Sequence, residues 1–238
     1  MFRKIKIFKP AKQTVQVHRL RQVPTILIAV LFAISLFLLA SPLISSYLTG
    51  QNQRAALTSL NRRQIKANEH KKGQFDFDKV HDLNAISSVK ARLHNTANAI
   101  GALAIPAVKL YLPILKGLSD TALSTGAGTM RADQKMGQGN YPLAGHYMTR
   151  YGNLFSPIAR LKPNDRVYLT NLAHVYVYRV HTVTKVPPTA VYLVANTPQK
   201  IVTLITCADG GKNRTAVRAK LIKKVKANRC NLKVFKLK

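Results

Sequence analysis

Ile201-Val202-Thr203-Leu204-Ile205-Thr206-Cys207 is an apolar, β-branched run, and Ala208-Asp209-Gly210-Gly211-Lys212-Asn213 after it has turn composition. Arg214-Thr215-Ala216-Val217-Arg218-Ala219-Lys220-Leu221 then resumes the strand pattern. Strand, turn and strand predict a hairpin, with Cys207 ending the first arm and Arg214 opening the second. Closed around a six-residue loop, the hairpin makes Cys207 and Arg214 cross-strand neighbours. Directly opposed residues have Cβ atoms about 4.5–5.5 Å apart. A guanidinium at that distance favours the thiolate, the nucleophilic form of cysteine. It also offers hydrogen bonds to an oxyanion that forms when sulfur attacks a carbonyl. A cysteine at a strand end is ordinarily a small core hydrophobe. The adjacent arginine is what makes Cys207 a candidate nucleophile.

Working outward, the same texture recurs in Leu103–Ile114 (LAIPAVKLYLPI) and Asp165–Val186 (DRVYLTNLAHVYVYRVHTVTKV). Short runs rich in Val, Ile, Tyr and Thr, broken by Gly, Pro and Asn, predict an all-β sandwich or barrel. Pro106 and Pro113 confine the first run to a sheet edge or a bulged strand. A thiol that makes and breaks acyl bonds also needs a proton carrier. His174 and His181 are seven apart in strand territory and read as surface positions on opposite faces. His94 lies at the start of the domain. His146, in Asn140–Met148 (NYPLAGHYM), follows Gly145 and is the best candidate.

Composition narrows the chemistry. The chain has 238 residues, Lys+Arg 38 against Asp+Glu 8, and a formal net charge of +30. With one glutamate, Glu69, and the rest aspartates, mechanisms built on paired carboxylates or carboxylate-held metals lack parts. Cys207 and Cys230 make neither a disulfide framework nor a four-ligand zinc site. Lys212–Lys238 holds 11 Lys/Arg and no acid, but its only aromatic is Phe235. That argues against a stacking nucleic-acid surface and leaves two readings, a solvated basic face or a surface for anionic wall polymers or lipid headgroups.

No charged residue lies between Arg21 and Arg54. The stretch 23–48 (VPTILIAVLFAISLFLLASPLISSYL) exceeds the roughly 20 apolar residues that cross a bilayer. It is too long, and its end too poor a cleavage site, for a signal peptide. Residues 1–22 carry seven Lys/Arg and no acid, so the positive-inside rule keeps them in the cytoplasm. The expected organisation is a basic tail (1–22), a membrane anchor (23–48), an extracellular stalk (49–92) and a folded domain (93–238). In the stalk Leu57, Leu60 and Ile65 are too sparse to build a core.

Taken together, Thr203–Cys207 (TLITC) with Arg214 after it, and Leu143–His146 (LAGH) upstream, resemble the class A sortases, membrane-anchored cysteine transpeptidases of Gram-positive bacteria. Ile100–Leu118, Gly126–Tyr141 and Phe75–Val80 (FDFDKV) extend the resemblance over nearly the whole chain. It implies an eight-stranded sortase-type β-barrel with short helices behind a single transmembrane helix. By the resemblance, Cys207 attacks the Thr–Gly carbonyl of a Leu-Pro-x-Thr-Gly sorting signal, His146 protonates the departing amine, and Arg214 holds the oxyanion and signal backbone. Ala144 and Thr206 match positions beside the substrate. An amine of a cell-wall precursor, lipid II, then opens the thioacyl enzyme and joins the surface protein to peptidoglycan.

Some relatives bind calcium through acidic residues ahead of the histidine. Here 131–140 offers only Asp133, so no calcium activation and no other cofactor is expected. Cys230 matches no family motif. A pilin-polymerising sortase is the nearest rival, but neither a lid before the histidine nor a C-terminal membrane segment is evident. A thiol hydrolase would give no amine-captured product. A cationic anchor that merely binds wall polyanions would survive Cys207→Ala.

Overall fold

The computed structural model describes residues 16–76, 99–147 and 154–237. His94, most of the FDFDKV segment, the first 15 residues and 77–92 of the expected stalk lie outside them. The chain forms two units, 1–42 and 43–238. The described residues of the first are the leading part of helix α1 (Gln16–Thr58). Its large apolar side chains are exposed, from Ile26 at 62% to Leu39 at 72%, a surface that water does not suit. Among the described residues no single helix is long and apolar enough to cross a membrane, but Thr25–Ser41 and Ser46–Thr58 qualify together as a broken pair. The gap between them holds Pro42, which has no amide hydrogen to give.

The second unit is a closed barrel of β1 (Ala99–Ile105), β2 (Leu110–Leu115), β3 (Ala127–Thr129), β4 (Asn140–Ala144), β5 (Arg166–Thr170), β6 (His174–Val186), β7 (Ile201–Ala208) and β8 (Asn213–Lys226). Around the barrel the order is β1-β2-β3-β4-β7-β8-β6-β5. Two neighbour pairs, β2–β3 and β4–β7, are parallel. The short helix α3 (Asp120–Thr125) lies in the β2–β3 connection, and α4 (Arg229–Leu232) follows β8. The eight strands and short helices match the expected architecture.

Alternation sorts each strand into an inner and an outer face. Leu103, Ile105, Leu143, Leu204, Val217 and Ala219 fill the interior. The run Leu103–Ile114 is a hairpin rather than one strand: Pro106 opens a 3-10 turn that ends at Lys109 with φ 54°. Pro113 sits inside β2, where its second neighbour β3 begins pairing only at Ile114, so no ladder bond is lost there.

The stalk reading changes. Leu57 and Ile65 are 8% and 3% exposed. Leu57 packs on the outer wall with Ala102, Ala104, Val175, Val177 and Phe235. Helix α2 (Arg62–Glu69) is tied to β1 where Asn68 Nδ2 donates to the Ala99 carbonyl at 3.0 Å. These few apolar residues need no core of their own, because the barrel wall supplies the other half.

Candidate active site

The hairpin comes out in the expected register: Cys207 pairs directly with Arg214. Its loop is two residues shorter than predicted, because Ala208 and Asn213 also pair. Cys207 is half-buried and reduced; Cys230 is exposed on α4. The Arg214 guanidinium donates from Nη1 to the carbonyls of Gly211 at 2.8 Å and Asn213 at 3.1 Å. Those bonds hold it against the loop, on the residue that faces Cys207 across the hairpin.

The other side of Cys207 is set by the parallel β4–β7 pair, whose last registered partners are Ala144 and Ile205. Beyond them the chains stay together. The Gly145 amide donates to the Ile205 carbonyl at 3.1 Å, and the Thr206 hydroxyl donates to the Gly145 carbonyl at 2.7 Å. His146 is therefore next along β4, as Cys207 is next along β7. Position 145 has no room for a side chain: a Cβ there would meet the Phe155 ring at 2.5 Å. The Phe155 amide in turn donates to the His146 carbonyl at 3.0 Å. Histidine, just past the end of β4, thus flanks the cysteine of β7 on one side and the arginine of β8 flanks it on the other.

All three share the outer face with Ala144, Ile205 and Ala216, which form a buried apolar cluster with Leu193 of the β6–β7 connection. That connection is fastened by Asn140, 1% exposed. Both amide hydrogens of Asn140 are used, to the carbonyls of Leu193 at 2.8 Å and Ala195 at 2.9 Å, and its Oδ1 accepts from the Thr203 hydroxyl at 2.8 Å. Arg131 Nη1 adds a bond to the Val194 carbonyl at 3.3 Å while its other nitrogens hold Asp133. The Arg131 hydrogen bond keeps the Asp133 carboxyl below the usual carboxylate range.

Of the sequence-predicted site, Cys207, Arg214, His146 and Ala144 come together on one face. Thr206 is 2% exposed and turned to the other face, its hydroxyl committed to Gly145. His174 and His181 are on β6, where the residue registered with Arg214 is Val186; His174 pairs with Lys226 at the other end of β8, and His181 is a bulge residue between the Val180 and Thr182 pairs. Sequence reasoning missed Asn140 and also Asp209. The Asp209 carboxylate accepts from Lys185 Nζ and Asn213 Nδ2, both at 2.9 Å. These bonds, Lys185 first, draw its carboxyl below the ordinary range and tie the catalytic loop to β6. A turn-forming aspartate gives no sign of a partner 24 residues upstream.

The Sortase domain family matches residues 103–222. Sortase A of Listeria monocytogenes serovar 1/2a (strain ATCC BAA-679 / EGD-e) is 38% identical over 183 residues, covering 75% of this chain and 81% of that protein. Sortase A of Streptococcus agalactiae serotype III (strain NEM316) is 36% identical over 208 residues, covering 83% and 84%. The crystal structure of Listeria monocytogenes sortase A superposes with a TM-score of 0.57 at 39% identity, over 59% of this chain and 99% of that one. The chain belongs to the sortase family, in its class A branch. It is a cysteine transpeptidase of the kind that anchors surface proteins to the cell wall.

Proposed function

We propose that the chain cleaves a Leu-Pro-x-Thr-Gly sorting signal between Thr and Gly and passes the acyl group to the amine of lipid II. Cys207 Sγ attacks the threonine carbonyl. The Cα-linked amide nitrogen of glycine leaves with a proton from His146, and a thioester to Cys207 remains. The incoming amine then attacks the thioester, gives its proton to His146 and releases the sulfur. Arg214 stabilises the oxyanion in both steps. Ala144 forms apolar floor for the signal peptide, and Thr206 fixes the backbone at Gly145 beside it.

The observation that carries this reading is the Cys207–Arg214 register pair with the Gly145–Thr206 bond bringing the His146 strand alongside. Its test is incubation of the full chain with a Leu-Pro-x-Thr-Gly peptide and an oligoglycine amine, followed by mass. An exchanged product that requires Cys207 supports transpeptidation. Hydrolysis without amine capture at saturating amine overturns the acceptor step.

The domain works outside the cell on an anchor formed by residues 23–48, with the N terminus in the cytoplasm. The exposed apolar side chains from Ile26 to Leu39 support that placement. No calcium is needed. Asp133 is engaged by Arg131, and Asn140 has its side chain committed to the β6–β7 connection. Millimolar calcium should leave the turnover unchanged; a several-fold rise would overturn this.

A further inference from the structure

Cross-strand register assembles a row of cations that no stretch of sequence displays. Arg166 on β5 pairs directly with Arg179 on β6, and Arg179 pairs directly with Lys220 on β8. All three are exposed. Neighbouring strands are about 4.8 Å apart, so three like charges face one another across roughly 10 Å of wall. Like charges placed directly opposite destabilise a sheet. The ion pairs Arg131–Asp133 and Lys185–Asp209 involve none of them. The nearest acid in sequence, Asp165, accepts the Lys162 amide at 2.8 Å.

The next residues toward the catalytic end continue the band. Arg218 is half-buried, and its buried Nε has no hydrogen-bond partner among the described residues. His181 is the extra residue of a bulge between the Val180 and Thr182 pairs. Burial, then the charges of Lys220 and Arg218, push its imidazole below the usual range.

The band is bounded on both sides. On one, Leu57 and Phe235 cover Val175 and Val177. On the other, Ala190, Leu193 and Val194 cover Ile205 and Ala216. What stays open between the two covers is a cationic strip on the wall. The three charges follow one another in line across adjacent strands, an arrangement that a linear polyanion can lie along.

We propose that the strip Arg166–Arg179–Lys220, with Arg218 at its edge, binds a linear phosphodiester polymer. The site is separate from the catalytic residues and would hold the barrel against anionic wall material while Cys207 works.

The test uses the full chain in neutral detergent and inorganic polyphosphate as the probe, with affinity read by fluorescence anisotropy. Two triple variants remove equal charge: R166Q/R179Q/K220Q from the strip, and K223Q/K224Q/K226Q from the far end of β8. The strip variant should bind about a hundredfold more weakly at low salt, and the control variant within about threefold of the parent. Both should keep the parent's peptide-exchange rate, which also shows that they fold. Equal losses in the two variants would mean that binding follows net charge alone and would overturn the proposal. So would strip-dependent binding to phosphatidylglycerol vesicles without strip-dependent binding to polyphosphate, which would assign the face to the membrane.

Discussion

Strand β8 carries two cationic regions on one face, and they are built in opposite ways. At Arg214 a single guanidinium is fastened by two loop carbonyls, on the residue paired across the hairpin with one cysteine. Six residues on, Lys220 stands beside Arg179 and Arg166 with the charges merely stacked side by side. The first arrangement fixes one hydrogen-bond donor for one developing charge. The second makes a field without a fixed geometry. Reaction chemistry needs the former and electrostatic attachment the latter, although residue type and spacing look alike in both.

Breaking the catalytic end outright should give the largest effect. Cys207→Ala should remove the exchanged product altogether, while Cys230→Ser should leave its rate unchanged; mass analysis of the peptide products decides both. His146→Ala should lower kcat by about 10²–10⁴-fold, the range for a lost proton carrier. Arg214→Ala should cost about 10²–10³-fold, as removal of an oxyanion donor does. Arg218→Ala, same strand and same face, should cost less than about threefold in peptide exchange, since it pairs with Thr203, four pairs further from Cys207. The reverse order of the two arginines would mean the hairpin functions in another register.

A finer break is Thr206→Val, which keeps the shape and removes the hydroxyl bonded to Gly145. A buried carbonyl losing its partner destabilises by about 1–3 kcal/mol, read as a lower Tm. If that bond positions His146, kcat should fall about tenfold while KM stays within about twofold. A Tm shift without a kcat change would leave the bond purely structural.

The smallest effect concerns the Arg131–Asp133 pair. A carboxyl lowered by its partner adds stability above its unfolded pKa and loses it as the pH falls through the lower folded value. Asp133→Asn should therefore lower Tm slightly at pH 7 and not at all in strong acid, below both values. The change stays small because the Asp133 side chain is 69% exposed.

The nucleophile and its arginine were legible because one hairpin carries both, and local spacing determines who faces whom. His146 was legible only as a candidate. Its place depends on the parallel β4–β7 pair, which joins residues 61 apart, and no periodicity reports a partner at that distance. The burial of Leu57 and Ile65 was missed for a related reason: counting apolar residues along a helix says nothing of a ready-made wall opposite. Strict alternation put His174 and His181 on opposite faces, but the bulge at His181 resets the phase there. The cation row needs two registers at once, β5–β6 and β6–β8, and was invisible.

The parallel β4–β7 pair also bears on the order of events in folding. The β7–β8 hairpin is local and can zip early, so Cys207 and Arg214 meet soon after collapse begins. The histidine joins them only after a loop of some sixty residues has closed, which is the slow and entropically costly part of such a topology. Competence for acyl transfer thus waits on a long-range closure, as the barrel itself does at the β1–β5 pair, which joins residues as distant as Ala102 and Thr170. A chain in which only the hairpin has formed has its cysteine opposite a cation but no proton carrier alongside.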